Sequence, residues 1–336
     1  WRNFQRLPLF VTATCEFSRF DDYNLISTGE SILLTPIGGG IGLLSTTRLV
    51  YSSPNFTLNY NFIQTVFSEV SKKKNYSKQI DEYFYRLGDI VRITKNISGA
   101  GYNKRNFMLL GDPALMLKYP NHGISVTHIN NTPIAAVTDT LKALSKLKID
   151  GKITNHDGSD AISFNGSVFT VLFDKEKTIK TLGNDGGNQM DFTVRENVIY
   201  KGIATIKNGL FSLNCIIPKD INYRVGTGRI SLFASNGNET GAGYNQTILI
   251  GDINSSPILD NNGPTISIYL NDNKFVSGGI SNSNPKLIVQ LTDSSGINTT
   301  GTGIGHDLIA TISGENEKSI ILNDYYKADK DSYKSG

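Results

Sequence analysis

The sequence predicts an α/β segment with a partial parallel sheet, followed by antiparallel β-sandwich domains. Two observations lead to this prediction. Up to Pro120, short apolar runs alternate with amphipathic helical patterns, which is typical of parallel strands joined by crossover helices. Beyond Pro120, short β-prone runs are separated by dipeptides that favour tight hairpins, such as Asn208-Gly209 and Asn236-Gly237.

A chain of 336 residues is long enough for two or three domains. We expect the α/β segment to cover residues 1–120. A connector with one helical stretch, Asp139–Leu147, is expected over 121–147. A first β-sandwich is then expected over 148–258, and a second one, truncated at the end of the chain, over 259–336.

Within the α/β segment, the first strand is predicted over Leu7–Ala13 and the second over Ile41–Thr47, both largely apolar. Between them, Ser27 followed by Glu30 fits a capping box that opens a short helix. After the second strand, apolar side chains at helical spacing predict two amphipathic helices. The first carries Phe62, Ile63, Val66, Phe67 and Val70, and the second carries Ile80, Tyr83, Phe84 and Leu87.

Further extended runs are predicted along the rest of the chain. Residues 106–119 read as two extended pieces broken at Gly111-Asp112-Pro113. The β region contributes the runs Val168–Phe173, Val198–Ile206, Leu210–Ile217, Arg229–Ala234, Ile266–Leu270, Leu287–Leu291 and Leu308–Ile312.

Composition excludes several classes of protein. The 33 lysines and arginines nearly balance the 30 aspartates and glutamates, so no polyanion-binding surface and no nucleic-acid partner are expected. The cysteines, Cys15 and Cys215, fall in different predicted domains, so we expect neither a disulfide nor a metal site. No signal peptide or membrane span is recognisable, and we interpret a chain that begins at Trp1 as a fragment of a longer protein.

Cys15 is the candidate for nucleophilic chemistry. It falls at the carboxyl end of the first predicted strand, where reacting groups collect in α/β sheets, and Glu16, Ser18 and Arg19 follow it. A free cysteine is also among the residues most often buried in a core. On this pattern alone, the nucleophile and the core thiol both stay open.

A catalytic thiol needs a base or a positive field, and histidine is the usual base. The histidines of this chain are His122, His128, His156 and His306, all beyond the α/β segment. The residues themselves therefore indicate a well-placed thiol without a partner.

Three stretches resemble one known family. LPLFVTATCEFSRFDD, GGGIGLLSTTRLVYSSPN and FMLLGDPALMLKYP are similar to the C-terminal half of the gingipain-type cysteine peptidase domain. The resemblance implies a caspase-like α/β fold for residues 1–120 and immunoglobulin-like sandwiches for the β region. The wording TATCEFSRFDD, with STTRLVY and LLGDPAL, is most similar to the sortase members of this family, which serve the bacterial type IX secretion system.

The resemblance implies roles for individual residues. Cys15 falls on the catalytic nucleophile, and its backbone N–H would contribute to an oxyanion hole. Glu16, Thr47 and Tyr51 are assigned to the substrate pocket, with Tyr51 near its aromatic wall. The family's histidine would precede Trp1, so this chain is expected to be inactive alone. No cofactor and no metal are expected.

A sortase of this kind removes the C-terminal signal domains of secreted cargo and can transfer the cargo to an amine of a lipopolysaccharide acceptor. The resemblance therefore implies a location at the bacterial cell surface or outer membrane, with an outer-membrane type IX secretion anchoring protein as a further partner. Two alternatives stay open, a secreted gingipain-like endopeptidase and a non-catalytic surface docking scaffold.

Overall fold

The computed structural model describes residues 2–67, 85–184, 186–256, 262–298, 307–314 and 317–336. The chain forms two compact units, residues 1–119 and residues 120–336, and each is described by itself. Of the described residues, 38% lie in strands and 14% in helices. The protein is therefore mostly β.

In the first unit, the described elements are α1 (Thr28–Leu34), α2 (Ser52–Phe67), α3 (Leu87–Ile97), β1 (Leu9–Val11), β2 (Gly42–Thr46) and β3 (Phe107–Gly111). The described strands of the second unit are β4 (His122–Ile129), β5 (Thr132–Pro133), β6 (Thr140–Ala143), β7 (Lys146–Thr154), β8 (Gly166–Phe173), β9 (Lys177–Lys180), β10 (Asp191–Val194), β11 (Val198–Lys207), β12 (Leu210–Ile216), β13 (Gly226–Thr227), β14 (Arg229–Ser235), β15 (Thr240–Asn245), β16 (Leu249–Ile253), β17 (Thr265–Leu270), β18 (Leu287–Thr292), β19 (Ile309–Ile312) and β20 (Lys318–Ile321).

The described strands of the first unit form one mixed sheet with β2 in the middle. β1 pairs with β2 in parallel, and β3 pairs with β2 antiparallel. All five residues of β2 are buried, as expected for a strand covered on both faces. The core of the unit combines this strand with apolar side chains from the helices and β3: Leu44, Leu58, Phe62, Val66, Leu87, Ile90, Val91 and Phe107.

Several local predictions for this unit are confirmed. α1 begins with the predicted capping box, in which the Glu30 N–H donates to the Ser27 hydroxyl and the Ser27 N–H donates to the Glu30 carboxylate at 2.8 Å. The second predicted strand is β2. The first extended piece predicted in residues 106–119 is β3.

The first predicted amphipathic helix is α2, but its apolar residues do not share one face. Phe62 and Val66 are buried, whereas Ile63 and Phe67 are exposed. Other residues of the two predicted helices lie outside the described part of the chain: Val70, Ile80, Tyr83 and Phe84. The last predicted residue, Leu87, instead begins α3, which the sequence analysis did not assign.

Seven strands of the second unit close into a barrel in the order β15-β14-β8-β11-β12-β7-β4. The ring closes because β15 pairs with β4 in parallel, with Gly241 beside His122 and Ala242 beside Gly123. The other neighbours in the ring pair antiparallel. Alternate residues of these strands are buried and form one apolar core.

The predicted fold class is therefore wrong. We expected an α/β, caspase-like segment with a parallel sheet and then immunoglobulin-like sandwiches, but the first sheet is mixed and the largest sheet is a closed barrel. The reason lies in residues 121–147, where β4, β6 and the start of β7 replace the expected connector helix. β4 is the strand that closes the ring, and without it the remaining strands resemble an open antiparallel sandwich. In the described part of 259–336, β17 pairs with β18 and β19 pairs with β20, as two separate sheets.

Glycine is required at two places in the barrel. Asn208 and Gly209 join β11 to β12 with φ values of 51° and 74°, as the predicted tight hairpin demands. On β15, a Cβ at Gly243 would lie 2.0 Å from the carbonyl oxygen of Ile124 on β4. Any larger residue at Gly243 would therefore separate the two strands that close the ring.

The last residues of the chain run beside β11. Lys330 forms a parallel bridge with Ile203, and the Asp331 N–H donates to the Ile203 carbonyl at 2.8 Å. The Asp331 carboxylate accepts hydrogen bonds from the N–H and hydroxyl of Thr205 at 2.6 and 2.5 Å. Burial alone would raise the pKa of Asp331, but these hydrogen bonds and the charge of Lys330 together hold it below its usual value.

We expect Asp331→Asn to lower the free energy of unfolding by about 1 kcal/mol at neutral pH, because an amide accepts these hydrogen bonds more weakly and the site is open to solvent. The difference in the free energy of unfolding between the wild type and Asp331→Asn should be complete above the ordinary aspartate pKa of about 3.9. It should be lost as the pH falls through the lower pKa that Asp331 has in the folded state. Urea unfolding at several pH values measures this difference.

Asp329→Asn is the matched control, because the Asp329 carboxylate makes no hydrogen bond within the described residues. It should leave the stability unchanged. Equal losses in the two variants would contradict the role given to Asp331.

Candidate active site

Cys15 lies in the turn that follows β1, and the end of β2 holds this turn in place. The Thr12 N–H continues the pairing by donating to the main chain of β2 at 3.0 Å. The hydroxyls of Thr12 and Ser45 lie 2.7 Å apart, and the Thr46 hydroxyl donates to the Thr14 carbonyl at 2.5 Å. The start of the turn is thus tied to successive residues of a fully buried strand.

The residue after Cys15 has an unusual backbone conformation. Glu16 has a φ of 50°, in the left-handed region that residues other than glycine rarely adopt. Two residues later, the Ser18 N–H donates to the Thr46 carbonyl at 2.9 Å, so the chain returns to β2. The turn therefore projects Cys15 away from the sheet. Backbone strain of this kind clusters at functional sites.

The Cys15 thiol is exposed to solvent. Its Sγ lies 3.4 Å from the carbonyl oxygen of Val50, to which it donates a hydrogen bond. The interpretation of Cys15 as a buried core thiol does not hold. Access from solvent is a requirement for attack on a peptide carbonyl.

Charged side chains surround the turn in two groups. Glu16 lies 3.3 Å from Arg19, which also reaches Asp22 at 3.7 Å. These pairs are partly exposed and contribute little to stability. In the second group, the Arg48 guanidinium binds both carboxylate oxygens of Asp21. This hydrogen bonding holds the pKa of Asp21 below its usual value.

The predicted pocket residues Tyr51 and Thr47 lie at the two ends of one loop. Tyr51 directly follows Val50, the residue that contacts Cys15, and its side chain is 82% exposed. Thr47 is buried, and its N–H and hydroxyl both donate to the Asn106 carbonyl, at 2.9 and 3.2 Å. The structure therefore brings the main chain next to Tyr51 against Cys15, whereas the Thr47 hydroxyl faces protein. Their pocket roles stay predictions.

Two asparagines that hold this loop were missed by the sequence analysis. The Asn106 side-chain N–H donates to the Leu49 carbonyl at 2.8 Å. The Asn103 side-chain oxygen accepts from the Tyr51 N–H, also at 2.8 Å. The partners are 57 and 52 residues apart in sequence, so no local pattern could have indicated either contact.

Residues 1–119 contain no histidine. The second unit holds His122, His128 and His156, and His306 lies outside the described residues. The His122 ring packs edge-on against Phe164 at 5.2 Å between centroids, and its Nε2 lies 3.4 Å from Glu239. These contacts are those of a histidine packed in the structure of the second unit.

The second thiol, Cys215, is enclosed in the core of the barrel on β12 and is only 2% exposed. Burial raises its pKa to about 12. Because the thiolate is the nucleophilic form, Cys215 is chemically inert at neutral pH. Cys15 is thus the accessible thiol of the chain.

Two further findings concern the described residues alone. No three side chains of His, Cys, Asp or Glu are grouped closely enough there to hold a metal ion. None of the helices in that part of the chain has the length and apolar character needed to cross a membrane.

Comparison with known proteins gives one family. Residues 1–118 match the model of peptidase family C25. No curated protein sequence matches the chain significantly.

Two solved structures are similar to the chain. The crystal structure of dimeric latent PorU from Porphyromonas gingivalis is 30% identical, with a TM-score of 0.45, and the match covers 88% of this chain and 28% of that chain. The complex of the pro- and mature domains of RgpB from Porphyromonas gingivalis is 13% identical, with a TM-score of 0.29 and coverage of 71% and 47%. This chain thus spans less than a third of the first relative's length and about half of the second's.

The difference in exposure between the two thiols predicts how many of them react with a thiol reagent in the folded chain. In the folded chain, Ellman's reagent should modify one thiol rapidly, and in strong denaturant it should modify two, because Cys215 becomes accessible only on unfolding. Cys15→Ala should abolish the rapid phase. Rapid modification of two thiols in the folded protein would contradict the burial of Cys215.

Because Glu16 has a left-handed backbone conformation, glycine should be more stable than alanine at this position, which is the reverse of their order inside a helix. Glu16→Gly should be more stable than Glu16→Ala by about 1 kcal/mol, because alanine is strained at this φ and glycine is not. Urea denaturation measures the difference between the two variants.

The matched pair at Gln64, an exposed position inside α2, should show the opposite order, with alanine more stable than glycine by about 1 kcal/mol. The same order at both positions would mean that Glu16 is not held in the left-handed region.

Proposed function

Residues 1–118 belong to peptidase family C25, and on this premise we propose that the chain is part of a gingipain-type cysteine peptidase that works as a sortase. The observation that carries the proposal is the exposed Cys15 thiol, presented by a strained turn and in contact with the loop of the predicted substrate pocket. The wording of the sequence around Cys15 supports the sortase branch of the family.

In the proposed reaction, the Cys15 thiolate attacks the carbonyl carbon at the junction between the cargo and its C-terminal signal domain. The backbone N–H of Cys15 would stabilise the oxygen of the tetrahedral intermediate. The signal domain then leaves as an amine, and the cargo stays on Sγ as a thioester. An amine of lipopolysaccharide completes a transfer, whereas water completes a hydrolysis.

The proton of the thiol must go to a base. Residues 1–119 offer no imidazole, so the proposal assigns the base to a segment other than these residues. Arg19 and Arg48 do not replace it, because a guanidinium stays protonated and cannot accept a proton. Their ion pairs with Glu16, Asp22 and Asp21 also leave neither of them as an unpaired positive charge beside the thiol. The proposal therefore separates the nucleophile from its base. Because the resemblance places the family's histidine outside this sequence, we expect that residues 1–336 alone do not turn over substrate.

The proposal implies partners and a location. The substrate would be the C-terminal signal domains of type IX secretion cargo, and the acceptor would be lipopolysaccharide. Both reactions would take place at the bacterial cell surface, with the protein held there by an outer-membrane anchoring protein of the same secretion system.

Two alternatives have support in single observations. The match to family C25 alone would also suit a secreted endopeptidase, which would cleave unrelated peptides without attaching cargo. The lack of histidine in residues 1–119 would suit a non-catalytic docking scaffold, which would bind cargo without a covalent intermediate.

The test uses the complete protein in its own cells. Cys15→Ala should leave cargo with its signal domain attached and should lower processing by a factor of about 10³ or more, because the covalent route is lost. Immunoblots and mass spectrometry of surface cargo measure the fraction that is processed and the group attached to its new C-terminus.

Cys215→Ala is the control, because it removes the other thiol of the chain and leaves Cys15 in place. It should retain processing once the protein level is matched. Cargo processed normally in Cys15→Ala would overturn the proposal. If the wild type yields only hydrolysed cargo, with no lipopolysaccharide attached, the result would favour the endopeptidase.

A further inference from the structure

The loop of residues 47–51 beside Cys15 is held by hydrogen bonds along its whole length. Its first residue is fixed by the Asn106 carbonyl, as described above. Its second residue, Arg48, is fixed by Asp21 and by its own bond to the Thr47 carbonyl at 2.7 Å. Main-chain mobility in this loop would therefore require several bonds to break together.

The next part of the loop is held by two asparagines with opposite roles. Asn106 donates its side-chain N–H to the Leu49 carbonyl. Asn103 uses its side-chain oxygen to accept from the Tyr51 N–H. Between these two points lies Val50, whose carbonyl accepts the hydrogen bond from the Cys15 thiol.

Both asparagines come from one short segment of the chain. Asn103 belongs to a 3₁₀ turn over Asn103–Arg105, and Asn106 follows it directly, just before β3. The Tyr51 carbonyl in turn accepts from the Asn55 N–H at 3.0 Å, in the first turn of α2. The segment 103–106 is thus hydrogen-bonded to the loop on both sides of Val50. The end of the loop at Tyr51 is also hydrogen-bonded to α2.

The side chains that this main chain carries point away from the protein. Leu49 is 70% exposed and Tyr51 is 82% exposed. A fixed backbone with exposed side chains is the arrangement expected for the wall of a recognition site, since ordering the wall in advance lowers the cost of binding.

We propose that Asn103 and Asn106 are positioning residues that set the substrate specificity of Cys15. They fix Leu49 and Tyr51 as the wall against which the side chain preceding the scissile bond is recognised. This inference rests on the proposed function, because it assigns the wall to a peptide substrate.

The two asparagines should respond in opposite ways to aspartate. Asn103→Asp keeps the oxygen that accepts from the Tyr51 N–H. Its second carboxylate oxygen replaces a side-chain nitrogen that is buried without a partner within the described residues, so this variant loses stability but keeps the contact to the loop. Asn106→Asp removes the donor and places a carboxylate against the Leu49 carbonyl. A merely structural role would order the variants by stability in the same way, so the readout that distinguishes the two roles is the spread of rates across a peptide series.

The test measures alkylation of Cys15 in the 336-residue chain, which avoids any need for turnover. Tripeptidyl chloromethyl ketones that differ in the residue next to the reactive carbon form one series, and iodoacetamide reports the intrinsic reactivity of the thiol. We expect the wild-type rates, normalised to iodoacetamide, to spread by at least about tenfold across the series. Asn103→Ala, Asn106→Ala and Asn106→Asp should reduce the spread to about twofold, and Asn103→Asp should keep it.

Asn61→Ala is the matched control, because Asn61 joins α2 to the residue after α3, with its side-chain N–H donating to the Ser98 hydroxyl at 3.1 Å. It should keep the wild-type spread, even if urea denaturation shows a loss of stability similar to those of the other variants. A spread that survives in Asn103→Ala and Asn106→Ala would overturn this inference and leave the proposed function standing. A flat series in the wild type would instead count against the substrate pocket and with it the proposed function.

Discussion

The geometry around Cys15 depends on hydrogen bonds between the turn after β1 and the end of β2. Ser45 and Thr46 belong to a completely buried strand, and their hydroxyls form hydrogen bonds with Thr12 and Thr14, which precede Cys15 in the chain. Buried hydroxyls are costly without partners, so these bonds form together with the strand pairing. A polar turn is thereby fixed to the most rigid part of the first unit. Without this attachment, the left-handed Glu16 would relax and the thiol would lose its orientation.

The local parts of the fold could be predicted because their causes lie within a few residues. The capping box at Ser27 and Glu30, the buried strand β2 and the Asn208-Gly209 hairpin each follow from a short pattern, and each is confirmed. α2 shows the limit of such patterns. Its sequence holds no charged residue, so apolar side chains occur on its exposed face as well as its buried one, and periodicity alone could not separate them.

The architecture could not be predicted, because it depends on pairings between distant segments. β4 reads as part of a connector, yet it joins β15 about 120 residues later and converts an open sheet into a ring. The site divides in the same way. Cys15 could be found from its position after an apolar run, whereas Asn103 and Asn106 act through contacts that no local pattern contains.

The closed ring also fixes where the second unit begins. Asn121 already belongs to it, since its N–H donates to the Thr240 carbonyl at 2.7 Å and its side-chain oxygen accepts from the Thr240 N–H at 3.0 Å. A piece that started at residue 148, where the sequence suggested a domain boundary, would lack β4 and leave unpaired backbone along β7 and β15. Exposed strand edges recruit other strands, so such a piece would tend to aggregate. A piece that starts at residue 120 retains every strand of the ring and so has no such exposed edges on β7 and β15.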